Sequence, residues 1–151
     1  MRRAEKEVVD RREIESIIRR ATVCRLAMVD DGVPYIVPLN FGYADGVLYF
    51  HSAPAGRKIQ ILQRCGPVCF EIDGGHELVR EATPCEWGMR YESVIGCGSV
   101  RFIDQPFQKR EALACIMAQY ATGEFSFPEH ALDRTVVFVL HIESMTAKHS
   151  R

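Results

Sequence analysis

The sequence has little net charge, no long apolar run and no internal repeat. Its 19 Lys and Arg against 20 Asp and Glu leave a formal charge of −1. Nothing in bulk therefore draws the chain to nucleic acid or an anionic membrane, and any anion site must be local. No stretch approaches the roughly 20 apolar residues of a membrane-spanning helix. The charged opening MRRAEKEVVDRREIE has no apolar segment behind it, as a secretory leader would. A cytoplasmic protein without membrane or nucleic-acid partners is expected. The six cysteines, Cys24, Cys65, Cys69, Cys85, Cys97 and Cys115, include no CxxC pair. Cys65 and Cys69 enclose GPV, and no histidine pair nearby completes a zinc set. In a reducing compartment they read as buried free thiols, and no metal is expected. Linkers and low-complexity segments are also missing, so the 151 residues read as one domain, 1–151, long enough to bury ~70% of the unfolded surface.

What is present is patterned. In DRREIESIIRRA, Ile14, Ile17, Ile18 and Ala21 recur at helical spacing. GRKIQILQR, from Gly56, reads as a short second helix. PFQKREALACIMAQYA opens with Pro106 and carries Leu113, Ile116, Met117 and Tyr120 on one stripe. Residues 25–29, 34–41 and 47–51 read as strands joined by DDG and ADG, the Asp-Gly pairs of tight hairpins. Further strands are expected over 68–73, 92–103 and 135–142. Gly96 and Gly98 in VIGCGSVRF weaken a strand unless it bends or something approaches its backbone. Many strands, short turns and few helices predict a mainly β protein, a small antiparallel barrel.

The densest polar cluster sits in LYFHSAPAGRKIQIL, where a strand ends and a helix begins. His51 and Ser52 can donate to an anion, Gly56 lets the backbone turn, and Arg57 and Lys58 bring charge to a helix start. The arrangement suits a phosphate, although a solvated basic pair is equally ordinary. Just upstream, PYIVPLNF holds Pro38, which cannot donate to a ladder. This strand lies at an edge or is distorted, and a distorted one could turn backbone groups toward a planar heteroaromatic ligand.

VPYIVPLNFGYADGVLYFHSAPAGRKIQIL resembles the cofactor core of FMN-binding split barrels related to pyridoxamine 5′-phosphate oxidase. MRYESVIGCGSVRFID followed by KREALACIMAQY is similar to the Nim-type nitroimidazole-resistance branch. The resemblance implies a homodimer of six-stranded split β-barrels with FMN at the interface. It assigns the phosphate to His51, Ser52, Arg57 and Lys58, with Ala53 also at the cofactor. The strand residues Ile36, Val37, Pro38, Leu39 and Asn40 would face the flavin ring, with Tyr91 and Ser93 approaching from the other subunit. It implies a flavin-dependent oxidoreductase acting on a small molecule, with nitro-compound reduction as the specific expectation. The C-terminal arginine and histidine motif of the oxidases themselves is not found, so vitamin B6 oxidation is not expected. No residue stands out as an obligatory proton donor. A non-enzymatic flavin- or heme-binding sensor and a structural dimer without cofactor stay open as alternatives.

Other conspicuous residues have plainer readings. Trp87, the only tryptophan, reads as a core or interface anchor that could also stack on a flavin. His76 in DGGHE reads as a turn residue, or less simply a heme ligand. His141 reads as a satisfied wall residue of an apolar strand. GEFSFPEH reads as a connecting loop, with a lid over a pocket as the rival reading.

Overall fold

The computed structural model describes residues 4–64 and 66–150. Cys65, one of the expected buried thiols, lies outside the described residues, as do residues 1–3 and 151. Among the described residues, eight strands and four α-helices follow in the order β1 (Glu7–Val8), α1 (Arg11–Arg20), β2 (Cys24–Asp30), β3 (Val33–Leu39), β4 (Gly42–Ala44), β5 (Val47–Ser52), α2 (Arg57–Leu62), β6 (Val68–Val79), β7 (Gly88–Ile103), α3 (Pro106–Ala118), α4 (Glu129–Asp133) and β8 (Val136–Ser150). Six strands are long, as expected; β1 and β4 are short additions. All pairings are antiparallel. Both Asp-Gly pairs form the predicted hairpins. Asp31 and Gly32 take φ of 49° and 85°, Asp45 and Gly46 48° and 80°, the doubly positive backbone of a two-residue turn that matches strand twist.

The strand order is β3-β2-β6-β7-β8-β5-β4. β3 and β4 are consecutive in the chain yet lie at opposite ends of the ladder. Were the sheet flat, six spacings would separate them by roughly 29 Å. The link from Leu39 to Gly42 reaches about 11 Å at most. The sheet must therefore curl until its two ends nearly meet. Among the described residues no ladder joins them, so the barrel stays open along one seam. The linker is fixed there: Phe41 is fully buried, and its N–H donates to the Tyr120 hydroxyl at 2.8 Å, which donates to the Thr22 carbonyl at 3.0 Å. The Gln119 amide beside it donates to the Ile18 and Ala21 carbonyls at the end of α1.

Inside the barrel, Leu26, Leu48, Phe50, Phe70, Ile72, Phe138 and Leu140 form one core, closed by Ile14, Ile17 and Ile18 of α1 and Ile59, Ile61 and Leu62 of α2. The α1 stripe is the predicted one, and Asp10 caps the helix by accepting from the Arg12 N–H at 2.9 Å. α3 packs outside on a smaller cluster of Ile103, Ala112, Val137 and Val139. Four successive β8 residues, Val137 to Leu140, are consequently buried. Over these four residues the strand is covered on both faces and loses the alternation that a half-exposed strand shows.

Several expectations need correction. The hairpin of β6 and β7 extends well past 73 and 92, because DGGHE is no loop: the ladder shifts register between Gly74 and Glu77 and then resumes to Val79. GEFSFPEH is a loop only to Pro128, where α4 begins. Of the two readings of PYIVPLNF, the edge strand holds and the distortion does not. The strand pairs with β2 without interruption from Val33 to Leu39, and its prolines are tolerated because its other edge is free. The glycine reading holds. A Cβ at Gly98 would stand 1.9 Å from the His141 carbonyl oxygen, and one at Gly96 2.5 Å from the Phe70 ring. The β7–β8 register slips between Cys97 and Gly98. The thiols are not uniformly buried: Cys24 is, Cys115 and Cys97 are partly so, and Cys69 and Cys85 are exposed. Trp87 is no core residue. It is 47% exposed near the tip of the β6–β7 arm, its Nε1–H donating to the Glu81 carbonyl at 2.8 Å and its ring under Arg80.

Candidate functional site

β5 directs Leu48 and Phe50 into the barrel, so His51 faces outward at its end, beside half-buried Ser52. The loop through exposed Ala53 reaches Gly56, whose φ of 135° favours glycine. α2 then buries Ile59, Ile61 and Leu62, which leaves the first-turn Arg57 and Lys58 off the core. The sequence thus brings His51, Ser52, Arg57 and Lys58 to one corner of the seam.

The two cations there differ. Lys58 is half-buried, and among the described residues no carboxylate lies within ion-pair distance of it. Burial alone pushes its pKa down. His51 keeps an open side, yet partial burial and then the charge of Lys58 hold its imidazole below the ordinary histidine value. Here positive charge is held against its own preference with nothing opposite it. Arg57 is engaged instead: its Nε donates to Asp30 Oδ2 at 2.9 Å, and its guanidinium lies 4.6 Å from the Tyr35 ring centre. Asp30 also accepts from Arg64 and is held below the usual carboxylate range, first by Arg57. Sequence reasoning missed Asp30 and Tyr35. DDG gave only a turn signal, and nothing local links position 30 to position 57.

On β3 the five predicted residues divide. Val37 and Leu39 pack against the core. Ile36 (58% exposed) and Pro38 point outward, and Asn40 is exposed in the seam linker. Ile36 begins a row across the outer face: Ile36 is opposite Ala27, Ala27 opposite Cys69, Cys69 opposite Cys97, and Cys97 opposite Ser144. In the next row Arg25 bonds Glu71 at 2.9 Å and Asp73 at 2.6 Å. Asp73 also lies 3.0 Å from His76 Nε2, so that imidazole is already partnered.

Tyr91 and Ser93 are not brought to this corner. They are half-buried on β7 opposite Ser150 and Lys148, whereas His51 shares its row with Val137 and Ile103. Ten residues of strand separate Ser93 from Ile103, roughly 33 Å. A separate cleft of about 360 Å³ lies under α3, lined by Tyr49, Arg101, Gln108, Glu111, Cys115 and His141 among others. His141 is exposed there rather than a satisfied wall residue. Burial raises the pKa of both Tyr49 and Cys115. Among the described residues, no group of three His, Cys, Asp or Glu converges as for a metal, and no helix is long and apolar enough to cross a membrane.

A family model described as pyridoxamine 5′-phosphate oxidase matches residues 10–149. The chain is 40% identical to a candidate 5-nitroimidazole antibiotic resistance protein from Bacteroides thetaiotaomicron, over 94% of this chain and 85% of that one, with a TM-score of 0.85. The flavocytochrome Anf3 from Azotobacter vinelandii shares the fold at 19% identity and a TM-score of 0.87, over 100% of this chain and 72% of that one. So does an FAD- and heme-binding protein from Mycobacterium smegmatis, at 20% identity and a TM-score of 0.87, over 97% and 74%. No protein of curated function matches the sequence.

Proposed function

Because the chain belongs to the pyridoxamine 5′-phosphate oxidase-like family, we propose that it binds a flavin, FMN, and is a flavin-dependent oxidoreductase acting on a small molecule. The observation that carries this reading is Lys58, a half-buried cation with no carboxylate against it among the described residues, set beside His51 and Ser52. A phosphate monoester fits such a corner. It would accept from the ammonium, the Ser52 hydroxyl and the imidazole, and its charge would offset what burial disfavours. Arg57 would join only by leaving Asp30.

The free edge of β3 presents backbone N–H and C=O groups that no neighbouring strand among the described residues uses. They suit the polar rim of a flavin ring, with Ile36 and Pro38 against its apolar part. Tyr91 and Ser93 lie too far along β7 to reach the phosphate corner within one copy. Their part in the site therefore needs a second copy, and a homodimer with the ligand between copies is part of the proposal. Exposed Leu78, Trp87, Met89 and Ile95 supply apolar surface for that contact. A bound flavin supplies the redox chemistry; the protein holds its phosphate, orients its ring and limits water at it.

The flavin- and heme-named neighbours support a redox-cofactor protein, and the nitroimidazole-resistance neighbour supports a nitroaromatic substrate. The test begins with the absorption spectrum of protein purified without added cofactor, followed by titration with FMN and riboflavin. Flavin bands and tighter binding of FMN are expected. The reduced complex, mixed anaerobically with a nitroimidazole, should be reoxidised faster than free reduced FMN. A Soret band alone would favour heme, and no flavin uptake would end the proposal. Flavin binding without nitro reduction would leave a flavin carrier.

A further inference from the structure

Cys69 of β6 and Cys97 of β7 are direct cross-strand partners. Phe70 and Gly96, the next pair, are buried toward the core, so strand alternation turns both sulfurs to the outer face. Both thiols are free; Cys69 is exposed and Cys97 partly so. Direct antiparallel partners have Cα atoms ~4.5–5.5 Å apart, within the ~4.4–6.8 Å that a disulfide spans. Their Cβ atoms, ~4.5–5.5 Å apart, stand at or beyond the ~4.5 Å upper end of disulfide geometry. Closure needs a small local twist. The chain can supply one, because Cys97 lies between Gly96 and Gly98 and the β7–β8 ladder, on the far side of β7 from Cys69, slips register directly after it. Ser144 Oγ is 3.2 Å from Cys97 Sγ, placed to donate to a thiolate.

We propose that Cys69 and Cys97 form a reversible redox dithiol that closes by exchange with a low-molecular-weight disulfide. The Cys69 thiolate, the more exposed, attacks one sulfur of the small disulfide. A mixed disulfide forms and one small thiolate leaves. The Cys97 thiolate then attacks the Cys69 sulfur and expels the second small thiolate. Two protein thiols and one small disulfide become one protein disulfide and two small thiols, and excess thiol reverses both steps. A bond closed against the resting spacing of the sheet is of the strained, readily reduced kind. The row that holds the pair also holds Ile36, so the chemistry takes place on the face assigned above to ligand and partner. The step needs no flavin, but it needs this face open to the small disulfide, so it belongs to the chain before the proposed partner covers the row.

The test uses the full chain in a Cys65→Ser background, since trypsin leaves Cys65 and Cys69 in one peptide, residues 65–80. The protein is incubated with oxidised glutathione, quenched with acid and digested. A cross-link between peptides 65–80 and 91–101 is expected, lost on adding dithiothreitol. Cys97→Ser should abolish the cross-link and leave a persistent glutathione adduct on Cys69. Cys69→Ser should abolish it as well. Stable adducts without a cross-link in the background protein, no reaction at either thiol, or a cross-link only between two copies would each overturn the proposal.

Discussion

The ammonium of Lys58, which no carboxylate among the described residues pairs, allows the phosphate corner to be tested with two readouts of predictable sign. Lys58→Met removes the charge and keeps most of the stem. A charge-assisted hydrogen bond to phosphate contributes roughly 1.5–3 kcal/mol, so the variant should lose about 10- to 150-fold in FMN affinity. Riboflavin, which has no phosphate, should be bound as before. Without ligand the same change should stabilise the fold. Burial lowers the folded pKa of Lys58 below its unfolded value, so the unfolded chain binds that proton more tightly, and the charge counts against folding at pH 7. Arg57→Met should behave oppositely. It breaks the contact to Asp30 and the packing on Tyr35, lowering the melting temperature. Its effect on FMN preference should be smaller, since phosphate has to displace Asp30 to engage Arg57. The assay is a pair of flavin titrations and a thermal melt for each variant. An unchanged FMN-to-riboflavin ratio in Lys58→Met, or a larger loss in Arg57→Met, would refute the reasoning.

Other predictions probe the frame. Gly98→Ala drives a Cβ into the His141 carbonyl and should destabilise by about 3 kcal/mol, lowering the melting temperature by roughly 6–12 °C; an unchanged melt would mean the β7–β8 slip is not imposed by that contact. Leu78→Lys, on the exposed apolar side of the arm, should shift sedimentation toward monomer in the proposed dimer, and an undisturbed profile would take the arm out of the interface. His51 has a folded pKa below the ordinary value of about 6.5. The unfolded chain therefore takes up that proton first, and stability is complete above about pH 6.5 and falls as pH drops through it. Urea midpoints at two pH values on either side should fall more in the wild type than in His51→Gln; equal falls would contradict this.

Local signals in the chain were legible because local geometry alone satisfies them. Asp-Gly turns need two positive φ values, the α1 stripe needs only a helical period, and Pro106 needs no backbone partner at a first helical turn. The basic corner was legible for the same reason: its histidine, serine and two cations lie within eight residues. The unread features are non-local. Gly74, Gly75 and His76 carry turn chemistry, yet the ladder carries them as a bulge. The buried run of β8 depends on α3 covering its second face. Asp30 and Tyr35 meet Arg57 only after the barrel curls, so the basic pair looked symmetric when one member is already engaged. Cys69 and Cys97 lie 28 residues apart, and only the β6–β7 register makes them neighbours.

The open seam also bears on how the chain is made. The β2–β3, β4–β5 and β6–β7 pairs are local hairpins that can form as each emerges from the ribosome. Yet β5 has no partner besides β4 until β8, the last strand in chain order, is available to join it to β7. Until then the β4–β5 hairpin is tethered by Asn40 and Phe41, and its Leu48 and Phe50 lack the cover of Phe138 and Leu140. The final strand acts as a closing stave, and synthesis halted before Val136 would leave an exposed hydrophobic edge for chaperones to recognise.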